Sequence, residues 1–97
     1  MFVIIMTYKK PLDIVDQHLL AHRSFLEEGY KEDLFVVSGP QDPRTGGVII
    51  SQIKDRDQLE RVLRKDPFHI LGIADYQVIK FEPVKYHTGF SDFVANA

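Results

Sequence analysis

Asp66 stands directly before Pro67, and Gly72 closes the stretch Lys65-Asp66-Pro67-Phe68-His69-Ile70-Leu71-Gly72. An aspartate ahead of a proline reads as a helix N-cap with proline in the first helical position, and glycine then ends the short turn. Backbone geometry thus fixes a carboxylate. A histidine beside it would make the carboxylate useful: the aspartate orients one ring nitrogen and the other exchanges a proton with a substrate. Imidazole suits that work because its reference pKa is about 6.5. Two histidines, His18 and His22, are spaced one helical turn apart. Ser38 offers a hydroxyl to a substrate oxygen, and Arg44, in a glycine-flanked loop, offers a guanidinium to a carboxylate or phenolate. Tyr8 offers a phenol. Each has a plainer role: a buried histidine bonded to a carbonyl, a cap and nothing more, a strand-end hydroxyl, a solvated loop charge, a packed ring. The histidine pair also has the spacing of a shared metal site but lacks the flanking glutamate that accompanies it in metalloproteases. No metal or other cofactor is expected.

The elements that must position these groups follow from periodicity. Phe2 to Tyr8 is a β-branched, apolar run and reads as a strand. From Leu12 to Gly29 the period changes: Leu12, Val15, Leu19, His22 and Leu26 fall at spacings of three and four, the stripe of one amphipathic helix. Asp13 is its expected cap and Gly29 its expected end. Leu34 to Ser38 and Val48 to Ile53 read as strands joined by a loop that exits through Gly46-Gly47. Asp55 and Gln58 resemble a capping box for a second helix carrying Leu59, Val62 and Leu63 inward. Asp75 to Val84 is the fourth strand, with Tyr76 among its apolar residues. Residues 85–97 form a tail with Phe90 and Phe93 and no clear period.

The order strand, helix, strand, strand, helix, strand predicts an α+β fold: a ferredoxin-like four-stranded antiparallel sheet with both helices on one face. Such a sheet should alternate apolar and polar residues if its other face is wet. Phe2 to Met6, Phe35 to Val37 and Val48 to Ile50 do not alternate. The second face must also be buried, which predicts a two-fold homodimer packed sheet against sheet. Following the chain up and down also brings the start of the first helix, the end of the second strand and the Asp66 turn to one end of the sheet. Tyr8, His18, His22, Ser38, Arg44 and Asp66 converge there.

The totals remove other classes. The 97 residues make one domain and a limited core. A formal net charge of −2 argues against a nucleic-acid binder. RNA-binding sheets of the same element order carry aromatics on strands one and three, whereas Gly47 to Ile53 has none. Cysteine is absent, which removes disulfides and thiolate chemistry. No stretch has the length of a membrane span or signal core, and the expected location is the cytoplasm.

The segments His18-Leu19-Leu20-Ala21-His22-Arg23, Ser38-Gly39-Pro40, Pro43-Arg44-Thr45-Gly46-Gly47 and Asp66-Pro67-Phe68, in that order and spacing, resemble the YciI-like (YCII-related) family from about residue 1 to 86. The resemblance implies a dimeric α/β barrel and a site built on a His–Asp pair. Most of the family has no assigned reaction; one related enzyme removes chloride from an aromatic ring diol, and muconolactone isomerases share the fold. The family aspartate falls on Asp66. Counted back from Gly39 the family histidine falls on His22; counted from Gly29 it falls on His18. His22 lies on the inward stripe and is favoured. The expectation is an enzyme performing acid–base chemistry (elimination, isomerisation or hydrolysis) on a small polar molecule. The alternative is a dimeric metabolite-binding module without catalysis.

Overall fold

In the computed structural model, which describes residues 1–95, the N-terminal apolar run forms β1 (Phe2–Tyr8). This strand lies inside a four-stranded antiparallel sheet of order β2-β3-β1-β4, the remaining strands being β2 (Phe35–Pro40), β3 (Gly46–Ser51) and β4 (Ala74–Lys80). The order matches the ferredoxin-like topology expected from the sequence. The helices are α1 (Leu12–Gln17), α2 (Leu19–Lys31), α3 (Arg56–Leu63) and the one-turn α4 (Pro67–Ile70). A 3-10 turn at Thr88–Phe90 leads into α5 (Ser91–Ala95), so the tail carries a helix that the sequence pattern does not show; its residues 96 and 97 lie outside the described residues.

Alternation along β1 sorts its side chains between the two faces. Phe2, Ile4 and Met6 are buried with Val15, Leu59 and Phe68 in the core between sheet and helices. Val3 faces the other way and lies in register with Ile50 and Ile79, and Ile50 with Val37. The second face therefore carries a row of four β-branched side chains across all four strands. Its two ends, Val37 at 51% and Ile79 at 42% exposure, are open to solvent in a single chain.

Four local expectations are corrected. The first helix is broken: His18 (φ −113°, ψ 6°) ends α1 and begins α2. Ile14 and Val15, with aspartates on either side, are weak helix formers, and the last turn of α1 closes with the tighter His18 N–H to Val15 carbonyl bond of 3.1 Å. Asp13 is not the cap; Pro11 holds that position with no side-chain bond. Gly29 does not end α2, which runs two residues further. A Cβ at Gly29 would strike the Phe35 ring, so the glycine is there for close helix–strand contact. The end is made instead by Asp33 at φ 57°, with Leu34 N–H to the Gly29 carbonyl and Asp33 N–H to the Tyr30 carbonyl, a Schellman closure. The last strand stops at Lys80, short of Val84. The stop at Gly72 is as expected: φ is +65°, and Ile73 N–H reaches the Phe68 carbonyl.

Candidate active site

Asp66 caps α4 as its sequence dictates: Oδ1 accepts the Phe68 backbone N–H at 3.0 Å, with Pro67 in the first helical turn. The cap is fully buried, at 0% exposure. A buried carboxylate must find donors, and Asp66 has two more. His22 Nδ1 lies 2.8 Å from Oδ1, and the Tyr76 hydroxyl donates to Oδ2 at 2.5 Å. Burial, followed by the negative charge of Asp66 and the bond to it, pushes the Tyr76 pKa above the ordinary phenol range. Tyr76 therefore stays a donor.

His22 sits in the first turn of α2 and is itself buried. Its ring lies flat on Phe68, with centroids 4.1 Å apart and planes 3° apart. Phe68 thus fixes both members of the pair, the carboxylate through its N–H and the imidazole through its ring. With Asp66 as acceptor on both oxygens, the contact fits the tautomer that carries its proton on Nδ1, and the other ring nitrogen, Nε2, is turned away from the carboxylate. Among the described residues no protein group bonds Nε2, and no buried side-chain nitrogen or oxygen lacks a partner. Nε2 is accordingly open, and it opens on a cleft.

That cleft, about 540 Å³, is bounded by α2, the ends of β1 and β2, and the β2–β3 loop. The volume is typical of small-molecule sites. His22, Leu26 and Tyr30 line it from α2, Tyr8 from β1, Ser38 from β2 and Arg44 from the loop. At one end the Tyr30 and Ser38 hydroxyls share a 2.6 Å hydrogen bond. At the other, Arg44 lies 6.0 Å from the Tyr8 ring centroid and donates to Asp16 at 2.6 Å. The bond to Asp16 raises the Arg44 pKa, so the guanidinium remains charged. Met6, Leu19 and Val48 supply apolar wall.

Of the six residues singled out in the sequence, four (Tyr8, His22, Ser38 and Arg44) meet at the cleft. Asp66 stands behind His22, bonded to it. His18 is not brought to the cleft; it is spent as the junction of α1 and α2. Of the two histidines, His22 is the one in contact with Asp66. Three further residues join the site without standing out in the sequence. Tyr30 lies past the helix end that a stop at Gly29 predicts. Phe68 reads as part of a motif, with no signal that it clamps the pair. Tyr76 reads as an apolar strand residue, although a tyrosine in an inward strand position needs a hydrogen-bond partner.

Comparison with known proteins agrees with this architecture. No curated protein matches the sequence. Among solved structures, 5-chloro-2-hydroxyhydroquinone dehydrochlorinase from Burkholderia phenoliruptrix AC1100, in complex with 2,5-dihydroxybenzoquinone, superposes with a TM-score of 0.69 at 22% sequence identity. The match covers 92% of this chain and 98% of that one. It shows a shared fold. The model of the YCII-related domain matches residues 1–82. The chain belongs to the YCII-related domain family.

Proposed function

We propose that the protein is a small-molecule enzyme in which His22 Nε2 takes a proton from, or returns one to, a substrate seated in the cleft. Asp66 orients the ring and stabilises the imidazolium that forms. The observation that carries this is the buried 2.8 Å contact between His22 Nδ1 and Asp66, with Nε2 left open to the cleft. Ser38 and Tyr30 offer hydroxyls to one end of the substrate, and Arg44 offers positive charge to an anionic group at the other. Tyr8 gives a ring to stack on. A cyclic molecule with oxygen substituents fits this lining, and the ligand of the structural relative is of that kind. The reaction is an elimination, isomerisation or hydrolysis of the type one acid–base group can run. The apolar row of Val3, Val37, Ile50 and Ile79 supports a homodimer joined through the second sheet face.

The test is a panel of hydroxylated and halogenated ring diols and lactones, followed by thermal shift and by turnover. His22→Asn is expected to keep the fold and lower turnover at least about 100-fold, the usual worth of a general acid–base group. Undiminished turnover in that variant would overturn the proposal. Thermal stabilisation by a panel member without any turnover would favour the binding module instead.

A further inference from the structure

Tyr76 is the third residue of β4 and lies in register with Met6, so its side chain points toward the helices. It does not line the cleft that His22 opens on. It lines a separate hollow of about 230 Å³ on the far side of Asp66, among Glu60, Leu63, Arg64, His69 and Val78. A molecule in the His22 cleft therefore meets Tyr76 only through Asp66 and His22. Among the described residues, the Tyr76 hydroxyl is the one partner of Asp66 Oδ2, at 2.5 Å, a length typical of an O–H donor on an ionised carboxylate. The other oxygen, Oδ1, holds the Phe68 N–H and His22.

Rotation about the last side-chain bond of Asp66, a torsion that is otherwise broad and two-fold, moves both oxygens together, so every hydrogen bond to either oxygen restrains it. Oδ1 carries the Phe68 N–H and the His22 contact. The Tyr76 hydroxyl adds a restraint on Oδ2 and so stiffens the direction of the oxygen offered to Nδ1. We propose that Tyr76 is a positioning residue. It fixes the Asp66 carboxylate plane from behind, so that His22 is held with its proton on Nδ1 and its lone pair on Nε2 aimed into the cleft. This rests on the acid–base role of His22 proposed above. Tyr76, Asp66 and His22 then form one relay of orientation, in which Tyr76 touches neither substrate nor transferred proton. Phe68 and Tyr76 share the work: one holds Oδ1 and the imidazole plane, the other holds Oδ2.

The experiment is nitrogen NMR of the neutral His22 imidazole in the full chain, comparing wild type with Tyr76→Phe, the fold being monitored by the backbone amide spectrum. In wild type Nδ1 is expected in the protonated range and Nε2 in the unprotonated range. In Tyr76→Phe the two resonances should move toward each other as the single tautomer is lost, with the amide spectrum preserved away from α4. A Tyr76→Phe protein that keeps the wild-type His22 resonances would overturn the proposal. Should that variant not fold, the wild-type hydroxyl decides. A Tyr76 hydroxyl proton protected from exchange and close to Asp66 supports the role, whereas one exchanging as freely as that of the exposed Tyr86 refutes it. The tautomer is read without any substrate. Unchanged turnover in His22→Asn, alongside tautomer loss in Tyr76→Phe, would therefore sink the acid–base role of His22 and leave the positioning by Tyr76 intact.

Discussion

Asp55 and Asp66 hold the same local job and differ in everything else. Each is an N-cap in extended conformation whose carboxylate accepts from the first turn of its helix, α3 for Asp55 and α4 for Asp66. Asp55 is exposed and makes long bonds, 3.4 Å to Asp57 N–H and 3.3 Å to Gln58 N–H. Asp66 is wholly buried, makes a 3.0 Å cap bond, and adds His22 and Tyr76. The cap motif is therefore not the site. A cap becomes a candidate site when tertiary packing removes its water and replaces it with an imidazole on one oxygen and a phenol on the other.

The contrast is most easily broken by truncation. Asp66→Ala leaves His22 Nδ1, the Tyr76 hydroxyl and the Phe68 N–H without their acceptor, and is expected to cost about 3–5 kcal/mol, as for breaking a buried pair. Asp55→Ala should cost about 1 kcal/mol, the ordinary worth of an exposed cap. Urea unfolding of the two variants checks this, and equal losses would mean that burial adds nothing at Asp66. Substitution by asparagine sharpens the contrast, because asparagine also caps well. Asp66→Asn is expected to stay folded but to lower turnover at least about 100-fold by disturbing the His22 tautomer, while Asp55→Asn leaves turnover unchanged.

Alkaline stability supplies a smaller signal confined to one of the two regions. Because the folded-state pKa of Tyr76 is raised, its contribution to stability is intact below the unfolded phenol value of about 10 and is lost as pH rises through the folded value. Above about pH 10 the unfolded chain releases this proton and the folded chain keeps it, so stability falls by up to about 1.4 kcal/mol per pH unit. Tyr76→Phe should remove that component of the slope in urea titrations at alkaline pH, and an identical slope in both proteins would contradict it. The smallest effect belongs to a third carboxylate, Asp16, whose exposed bond to Arg44 is screened by solvent and salt. Asp16→Asn should leave the urea midpoint unchanged while freeing Arg44 for anionic ligands, which a thermal-shift titration with benzoate would register.

How far the sequence led differs along the same lines. The Asp66 cap and the Gly72 stop were legible because each depends on nearest neighbours, and the sheet was legible from the order of strand and helix segments along the chain. So was the apolar second face, since Val3, Val37 and Ile50 sit in runs with no polar alternation. The break at His18 was not, because the stripe from Leu12 to Leu26 keeps its spacing through it. Gly29 misled because a glycine admitted for contact with Phe35 has the same letter as a glycine that stops a helix. That error hid Tyr30 beyond the supposed end. Tyr76 could not be assigned to Asp66 before the register of β4 against β1 was known. That His22 and not His18 contacts Asp66 likewise shows only in a distance, not in a count of residues.

If Asp66 holds His22 with Nδ1 protonated and Nε2 open to the cleft, nitrogen NMR of the neutral His22 ring in the wild-type chain will show Nδ1–H alone, and Asp55→Ala will retain it. A proton on Nε2 in the wild-type protein would refute that arrangement.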